Sequence, residues 1–150
     1  MRAVIQRVLE ASVSIENKIC GNIKQGLLIF AGFEKSDSAE DIKWISKKIV
    51  QLRIFNDNNG LMNLSVKETN GEIIIVSQFT LHALTKKGNR PSFIKAAEPE
   101  VAGKLYNEFK TCMTRELGKS VESGIFGAMM RVQLVNDGPV TIIIDTKNKE

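Results

Sequence analysis

The sequence is poor in the side chains from which catalytic and metal sites are usually built. It has one histidine, His82, and two cysteines, Cys20 and Cys112, among 150 residues. The cysteines form no Cys-x-x-Cys pair, which indicates two reduced, half-buried thiols instead of a zinc site or a disulfide scaffold. The patterns of nucleophile elbows, phosphate-binding loops, zinc proteases and dinucleotide-binding turns are also missing. A conventional catalytic triad or metal is therefore disfavoured, and we expect no metal and no cofactor.

Long apolar runs are missing as well. No stretch of about 18 apolar residues could span a membrane, and charged side chains interrupt the first ten residues, unlike a secretory signal. Hydrophobic residues make up 43% and charged residues 25%, the balance of an ordinary globular protein. We expect one cytoplasmic domain spanning 1–150, without a membrane partner. The net charge of +4 fits either an anionic partner or a solvated basic surface.

Apolar periodicity predicts strands in the first part of the chain, followed by a helix. Residues 2–9 and 12–16 have the alternation of strands, and residues 26–32 form an unbroken apolar run between glycines, typical of a strand buried on both faces. Residues 36–52 repeat apolar side chains at spacings of three and four, which predicts an amphipathic helix. A serine at position 36 or 38 can cap its N-terminus.

The second part of the chain repeats this order. We predict a strand at 72–81, a polar and basic loop at 84–97, and a helix that starts near Pro99 and stops at Gly118. Two strands, 128–136 and 140–146, close the chain on either side of a turn. The predicted order of elements is strands, helix, strands, helix, strands. This order indicates an α+β fold with two helices packed on a largely continuous sheet system.

The end of the predicted strand 72–81 is a candidate site. Ser77-Gln78-Phe79-Thr80-Leu81 offers hydroxyls, an amide and backbone N–H groups at a strand end, where sites are commonly built. In a purely structural interpretation the hydroxyls pair with nearby backbone. Residues i and i+2 of a strand face the same side, so His82 could activate Thr80. No acid is placed to orient the imidazole, and we expect His82 to be a half-exposed surface or stacking residue.

Two further segments have a structural and a functional interpretation. Asn136–Thr141 contains Gly-Pro between apolar strands, which is ordinarily a turn, and the isomer of the Gly138–Pro139 bond cannot be predicted from sequence. The predicted loop 84–97 is basic and includes Phe93. It is either a solvated face or a surface for nucleic-acid phosphates.

Six strings of the sequence carry a resemblance to a known family: MRAVIQRV…ASVSIE, LRIFND, LMNLSV, VSQFTL, GNRPSF and VNDGPVT. They resemble the D-aminoacyl-tRNA deacylases of the bacterial and eukaryotic branch, from Met1 to about Asp145. SQFTL and NDGPVT are the specific part, because two rare strings occur at the right separation. The resemblance implies a compact, β-rich, three-layer α+β sandwich with two helices that forms a homodimer. It also implies an ester hydrolase that removes D-amino acids and glycine from tRNA.

The same resemblance implies how the site is built. The catalytic segment of one subunit, Ser77 to Thr80, meets the Gly138–Pro139 of the other subunit, whose peptide bond should be cis with both carbonyls pointing into the pocket. Arg7 should hold that motif in place. The implied catalytic residues are Ser77, Gln78, Phe79 and Thr80. The implied substrate-binding residues are Gly138, Pro139, Arg7, Gly88, Arg90, Phe93 and Met129. Contacts to tRNA are expected from Lys86, Lys87 and Lys95.

The reaction leaves alternatives open. Backbone N–H groups of Phe79 and Thr80 could stabilise the oxyanion of an ester that is already activated. Either Thr80 attacks the ester, or the ribose 2′-hydroxyl of the substrate assists a water; the lack of a base for Thr80 favours the second. Two other functions are a nucleic-acid-binding module without catalysis and a generic esterase with Thr80 as nucleophile.

Overall fold

A six-stranded mixed sheet and two helices organise the chain. The computed structural model describes all residues, 1–150. In chain order the elements are β1 (Arg2–Ile15), β2 (Lys18–Ile23), β3 (Gly26–Gly32), α1 (Ala39–Gln51), β4 (Phe55–Asn56), β5 (Met62–Leu64), β6 (Glu72–Ser77), a 3-10 helix (Phe79–His82), α2 (Pro99–Leu117), β7 (Glu122–Ser123) and β8 (Arg131–Asp145). The predicted α+β fold with two helices is confirmed. No helix combines the length and the apolar content needed to cross a bilayer.

The sheet is built around its first strand. Its order is β2-β1-β3-β6-β7, with β8 paired to β1, while β4 and β5 form a separate hairpin. β3 is antiparallel to β1 and parallel to β6, and six of its seven residues are buried. This confirms the prediction that the run 26–32 is a strand covered on both faces.

Apolar clusters fill both faces of the main sheet. Ile29 of β3 and Ile75 of β6 pack with Ile45 of α1 and Phe109 of α2. On the opposite face, the neighbouring residues of β3 and β6 pack against a layer made by β2, the second half of β1 and β8. Side chains alternate between the two faces of a strand, so adjacent residues serve different clusters. The sheet is therefore covered by helices on one side and by strands on the other.

Two pairs of predicted strands are each one continuous strand. The predicted strands 2–9 and 12–16 are both part of β1, which ends at Ile15, and register shifts between Gln6 and Glu10 bend the strand without ending it. The predicted strands 128–136 and 140–146 are both part of β8, which begins only at Arg131 and ends at Asp145, and both halves pair antiparallel with β1. The predicted turn at 137–139 is wrong, because the chain does not reverse there. The prediction also missed β2, which follows a tight turn with positive φ at Glu16 and Asn17.

The helix ends follow the sequence signals closely. α1 begins after Ser38, whose side chain accepts from the Asp41 N–H while the Asp41 carboxylate accepts from the Ser38 N–H. α2 begins at Pro99 and ends at Leu117, and the next residue, Gly118, caps it with a φ of 83°. Burial alone would raise the pKa of Asp41, but hydrogen bonds from Lys147 and Ser38 outweigh it and hold that pKa well below its usual range.

Tyr106 ties α2 to the sheet. Its hydroxyl lies 2.9 Å from the carbonyl oxygen of Ile75 and 3.3 Å from that of Gly124, and it is buried. Burial raises the pKa of Tyr106 to about 12. The phenol therefore stays protonated and donates, which fixes the end of β6 against the helix.

Candidate active site

The segment that follows β6 leaves the sheet as a 3-10 helix. The Gln78 N–H donates to the Ala31 carbonyl at 2.8 Å, the last contact before the chain turns. Gly32 makes the turn possible, because a Cβ at this position would lie 2.7 Å from the Gln78 carbonyl oxygen. The predicted strand 72–81 therefore ends at Ser77, and Phe79 and Thr80 are exposed on the 3-10 helix.

Thr80 and His82 do not form a pair. The Gln78 amide nitrogen lies 2.5 Å from the Thr80 hydroxyl oxygen, whereas His82 is only 2% exposed and its Nε2 has no hydrogen-bond partner. In a 3-10 helix, residues two apart point in different directions, so the geometry assumed for a strand does not apply. The expectation that His82 is a half-exposed surface residue was wrong, because its ring is buried next to Gly32.

A cavity of about 840 Å³ opens beside this helix, within the size range of small-molecule sites. Five predicted site residues line it: Ser77, Gln78, Phe79, Phe93 and Met129. The rings of Phe79 and Phe93 meet edge to face, with centroids 5.0 Å apart. Met129, which is 91% exposed, stands at the rim. The structure thus brings together segments that lie far apart in the sequence.

Other lining residues escaped the sequence analysis. Lys35 and Glu98 form an ion pair of 3.2 Å and contribute the charged part of the lining. The apolar part that was missed includes Phe33, Phe126 and Met130. Phe33 directly follows the glycine that ends β3, a position at a strand end that could have marked it as a candidate.

The charged side chains of the basic loop lie outside the cavity, although Phe93 of the same loop lines it. Backbone hydrogen bonds of 2.8 Å and 3.0 Å join Leu84 and Ser92 at its base. Its charged side chains are exposed and form no ion pair with acidic residues: Lys86, Lys87, Arg90 and Lys95. Gly88, with a φ of 66°, turns the loop. Like the three lysines, the predicted site residues Gly88, Arg90 and Thr80 do not line the cavity.

The Gly138–Pro139 segment is a bulge in β8. Gln6 pairs with Thr141 and Val8 with Asn136, so four residues of β8 face Arg7 alone. The Gly138–Pro139 peptide bond is cis, and both residues are exposed. Neither lines the cavity of its own chain.

Arg7 fastens the bulge to the body of the protein. It is 6% exposed, and its Nε lies 3.2 Å from the Asp137 carbonyl oxygen and 3.1 Å from the Asp137 carboxylate. Its Nη1 donates to the Ile54 carbonyl at 2.6 Å and approaches the Asn56 side chain at 3.5 Å. One buried guanidinium therefore links the bulge to the β4–β5 hairpin.

Comparison with known proteins decides the family. The family model described as D-Tyr-tRNA(Tyr) deacylase matches residues 4–145. The chain belongs to the D-Tyr-tRNA(Tyr) deacylase family. It is 65% identical to a D-aminoacyl-tRNA deacylase of Flavobacterium psychrophilum and 59% identical to one of Bacteroides thetaiotaomicron, each over the full length of both chains. Membership of this deacylase family confirms the resemblance and the prediction of an enzyme, a hydrolase of ester bonds.

Two solved structures share the fold of this chain. The chain superimposes on the structure titled c-Myc DNA Unwinding Element Binding Protein with a TM-score of 0.90 at 37% identity, covering 97% of this chain and 98% of the other. A structure titled as a probable eukaryotic D-amino acid tRNA deacylase gives a TM-score of 0.82 at 18% identity, covering 95% and 97%. At that identity the second likeness concerns the fold alone.

Proposed function

We propose that this chain is a cytoplasmic D-aminoacyl-tRNA deacylase that works as a homodimer. It hydrolyses the ester between tRNA and a D-amino acid or glycine, and it rejects L-amino acids. The observation that carries the proposal is the division of the site. The cavity is walled by the Ser77–Phe79 segment, whereas the exposed Gly138–Pro139 bulge does not line that cavity in its own chain. A second copy supplies what each cavity lacks.

Backbone donors carry the chemistry in this proposal. The first N–H groups of a helix have no partner within it, and here these belong to Phe79 and Thr80 beside the cavity. They stabilise the oxyanion that forms when the ester is attacked, and one such donor is worth about 3 kcal/mol. An aminoacyl ester is already activated, so positioning and oxyanion stabilisation suffice.

The nucleophile in this proposal is a water assisted by the ribose 2′-hydroxyl of the substrate. The hydrogen-bond partner of the Thr80 hydroxyl is the Gln78 amide, which is not a base, and His82 is buried elsewhere. Thr80→Ala should therefore keep most of its ester turnover. A loss of a thousandfold or more, with the protein still folded, would instead favour Thr80 as the nucleophile of an acyl-enzyme.

Chiral selection follows from a steric clash. An L-side chain would run into the backbone carbonyls of Gly138 and Pro139 donated by the partner, whereas a D-side chain points away and glycine has none to clash. The proline ring fixes one backbone dihedral, and Arg7 holds the preceding carbonyl. The site therefore excludes L-amino acids without recognising the D-side chain itself.

The surface around the bulge fits a second copy of the chain. β8 pairs with β1 on one side only, which leaves its other edge free. Two apolar side chains of β8 face solvent near the bulge, Ile143 at 72% and Val135 at 45% exposure. Burying them in a dimer would remove their apolar surface from water. The protein should migrate at about twice 16.7 kDa.

The basic loop is the surface we assign to tRNA. Lys86, Lys87, Arg90 and Lys95 present four positive charges without acidic partners beside the cavity. Phosphate contacts of this kind position the substrate and weaken with salt. Activity on tRNA esters should therefore fall as ionic strength rises, while the preference for D-esters should not change.

The decisive experiment compares D-Tyr-tRNA with L-Tyr-tRNA under identical conditions. We expect rapid release of D-tyrosine and no acceleration for L-tyrosine over the spontaneous rate. Glycyl-tRNA should behave like the D-ester. Equal lifetimes of the D- and L-esters in the presence of the protein would reject the proposal.

The name of one similar structure supports a second candidate, a nucleic-acid-binding module without catalysis. That protein is titled a DNA unwinding element binding protein, and the basic loop of this chain would be the contact. In that case the double variant Lys86→Ala, Lys87→Ala should abolish DNA binding, and turnover of every ester should be absent. Stereoselective ester turnover excludes this candidate as the sole function.

A further inference from the structure

The β8 bulge needs a side chain to close its base. The residues between Asn136 and Thr141 have no partner on β1 in the ladder. The Asn136 side chain supplies one of the missing contacts: its Oδ1 accepts a hydrogen bond from the Val140 N–H at 3.2 Å, from one end of the bulge to the other. An amide that spans the loop in this way replaces a missing backbone contact.

The same side chain is fixed on its other side. The Asn136 Nδ2 lies 3.4 Å from the Thr141 hydroxyl oxygen, which also accepts from the Gln6 side chain at 3.3 Å. An asparagine amide can donate and accept at once, and here each end has one partner. The donor contact to Thr141 therefore determines which end of the amide faces Val140.

Closing the base also positions Gly138. A Cβ on Gly138, which has a φ of 127°, would lie 2.8 Å from Val140 Cγ2 and 3.0 Å from the Val140 nitrogen. Val140 thus lies directly beside Gly138, with no room for a side chain between them. Arg7 holds the first half of the bulge through Asp137, and the second half depends on Asn136.

We propose that Asn136 is a positioning residue for chiral selection, acting through Val140 on the Gly138–Pro139 carbonyls. This inference rests on the proposed deacylase function, and it identifies the side chain that holds the Gly138–Pro139 carbonyls in the position from which they exclude L-amino acids. Asn136 itself contacts no substrate. Because D-esters avoid the barrier, losing the Asn136 contact should relax the rejection of L-esters and leave D-ester turnover intact.

The test compares three variants on D-Tyr-tRNA and L-Tyr-tRNA. Asn136→Ala removes both contacts, Asn136→Asp keeps an acceptor for Val140, and Gln133→Ala is a control on the exposed face of the same strand. One hydrogen bond corresponds to roughly a fivefold effect. We expect Asn136→Ala to raise kcat/KM for the L-ester about fivefold, with kcat and KM for the D-ester within about twofold. Asn136→Asp should recover most of the rejection, and Gln133→Ala should match the wild type.

A role confined to stability would give a different pattern. If Asn136→Ala lowered both ester rates in proportion to the folded fraction, or left L-ester rejection unchanged while folded, the inference would be overturned. Hydrogen exchange at the Val140 amide separates this from a failure of the proposed function. The Val140 amide should exchange its hydrogen on the order of tenfold faster in Asn136→Ala than in the wild type. Should the wild type hydrolyse neither ester, the proposed function fails, and unchanged exchange would in addition disprove the contact.

Discussion

Replacing Arg7 by lysine tests whether a fork-shaped side chain is required beneath the bulge. Arg7 donates hydrogen bonds to the Asp137 carbonyl through Nε and to the Ile54 carbonyl through Nη1. A lysine ammonium is a single point and cannot occupy both positions, so one of the two partners is lost. The substitution keeps the charge and most of the stem, which restricts the change to geometry.

The structure sets the size of the effect. The Ile54 contact is 2.6 Å long and buried, and leaving such a carbonyl without a donor costs about 1–3 kcal/mol. The Asp137 carboxylate is 32% exposed, so water can replace part of the ion pair, and its loss costs up to about 1 kcal/mol. We therefore expect Arg7→Lys to lower the free energy of unfolding by about 1 kcal/mol when the Asp137 contact is lost and by about 1–3 kcal/mol when the Ile54 contact is lost.

Urea unfolding and ester turnover measure the two consequences separately. Arg7→Lys should lose part of its rejection of L-Tyr-tRNA under conditions where it is fully folded. Arg131→Lys is the matched control, because Arg131 lies on β8, the strand that carries the bulge, and its exposed side chain makes one hydrogen bond, to Asn17. A variant Arg7→Lys within about 0.5 kcal/mol of the wild type, with an unchanged ratio of D- to L-ester turnover, would refute the reasoning.

Three further predictions concern the surroundings of the site. Gly32→Ala places a Cβ 2.7 Å from the Gln78 carbonyl oxygen, so the 3-10 helix must shift and D-ester turnover should fall at least about tenfold, with a stability loss of about 1–3 kcal/mol in urea. Tyr106→Phe should cost only about 1 kcal/mol in the same assay, because the Ile75 carbonyl keeps a backbone donor. Asp41 has a lowered pKa, so its contribution is complete above the unfolded value near 4 and is lost as the pH falls through the native value. Urea unfolding of Asp41→Asn should show a deficit at pH 7 that shrinks in strong acid; a constant deficit would contradict the assignment.

Local sequence signals were sufficient to predict the two helices and the buried strand β3. Ser38 and Gly118 determine helix ends through their own backbone and side-chain contacts, so no knowledge of the rest of the chain is needed. The run 26–32 is apolar enough to predict burial on both faces. These elements were therefore predicted within a few residues.

The predictions that were wrong or missing concern features that depend on residues far away in the sequence. The sequence Asp137-Gly138-Pro139 is equally compatible with a turn and with a bulge. Only the pairing of the residues on both sides of it with β1 shows that it is a bulge. His82 is buried because Gly32, fifty positions earlier, has no side chain to keep the 3-10 helix away. The cavity combines β6, the segment 93–99 and the segment 126–132, whose proximity no local pattern encodes.

Cross-linking between chains tests most directly whether the bulge of one subunit completes the cavity of the other. One chain would carry Pro139→Cys and the other Phe79→Cys, both with Cys20→Ser and Cys112→Ala. After mixed refolding, a short bifunctional thiol reagent should produce a species of about twice 16.7 kDa that contains both chains. No cross-linked dimer in the mixture, together with an internal cross-link when both cysteines are placed in one chain, would contradict the shared site.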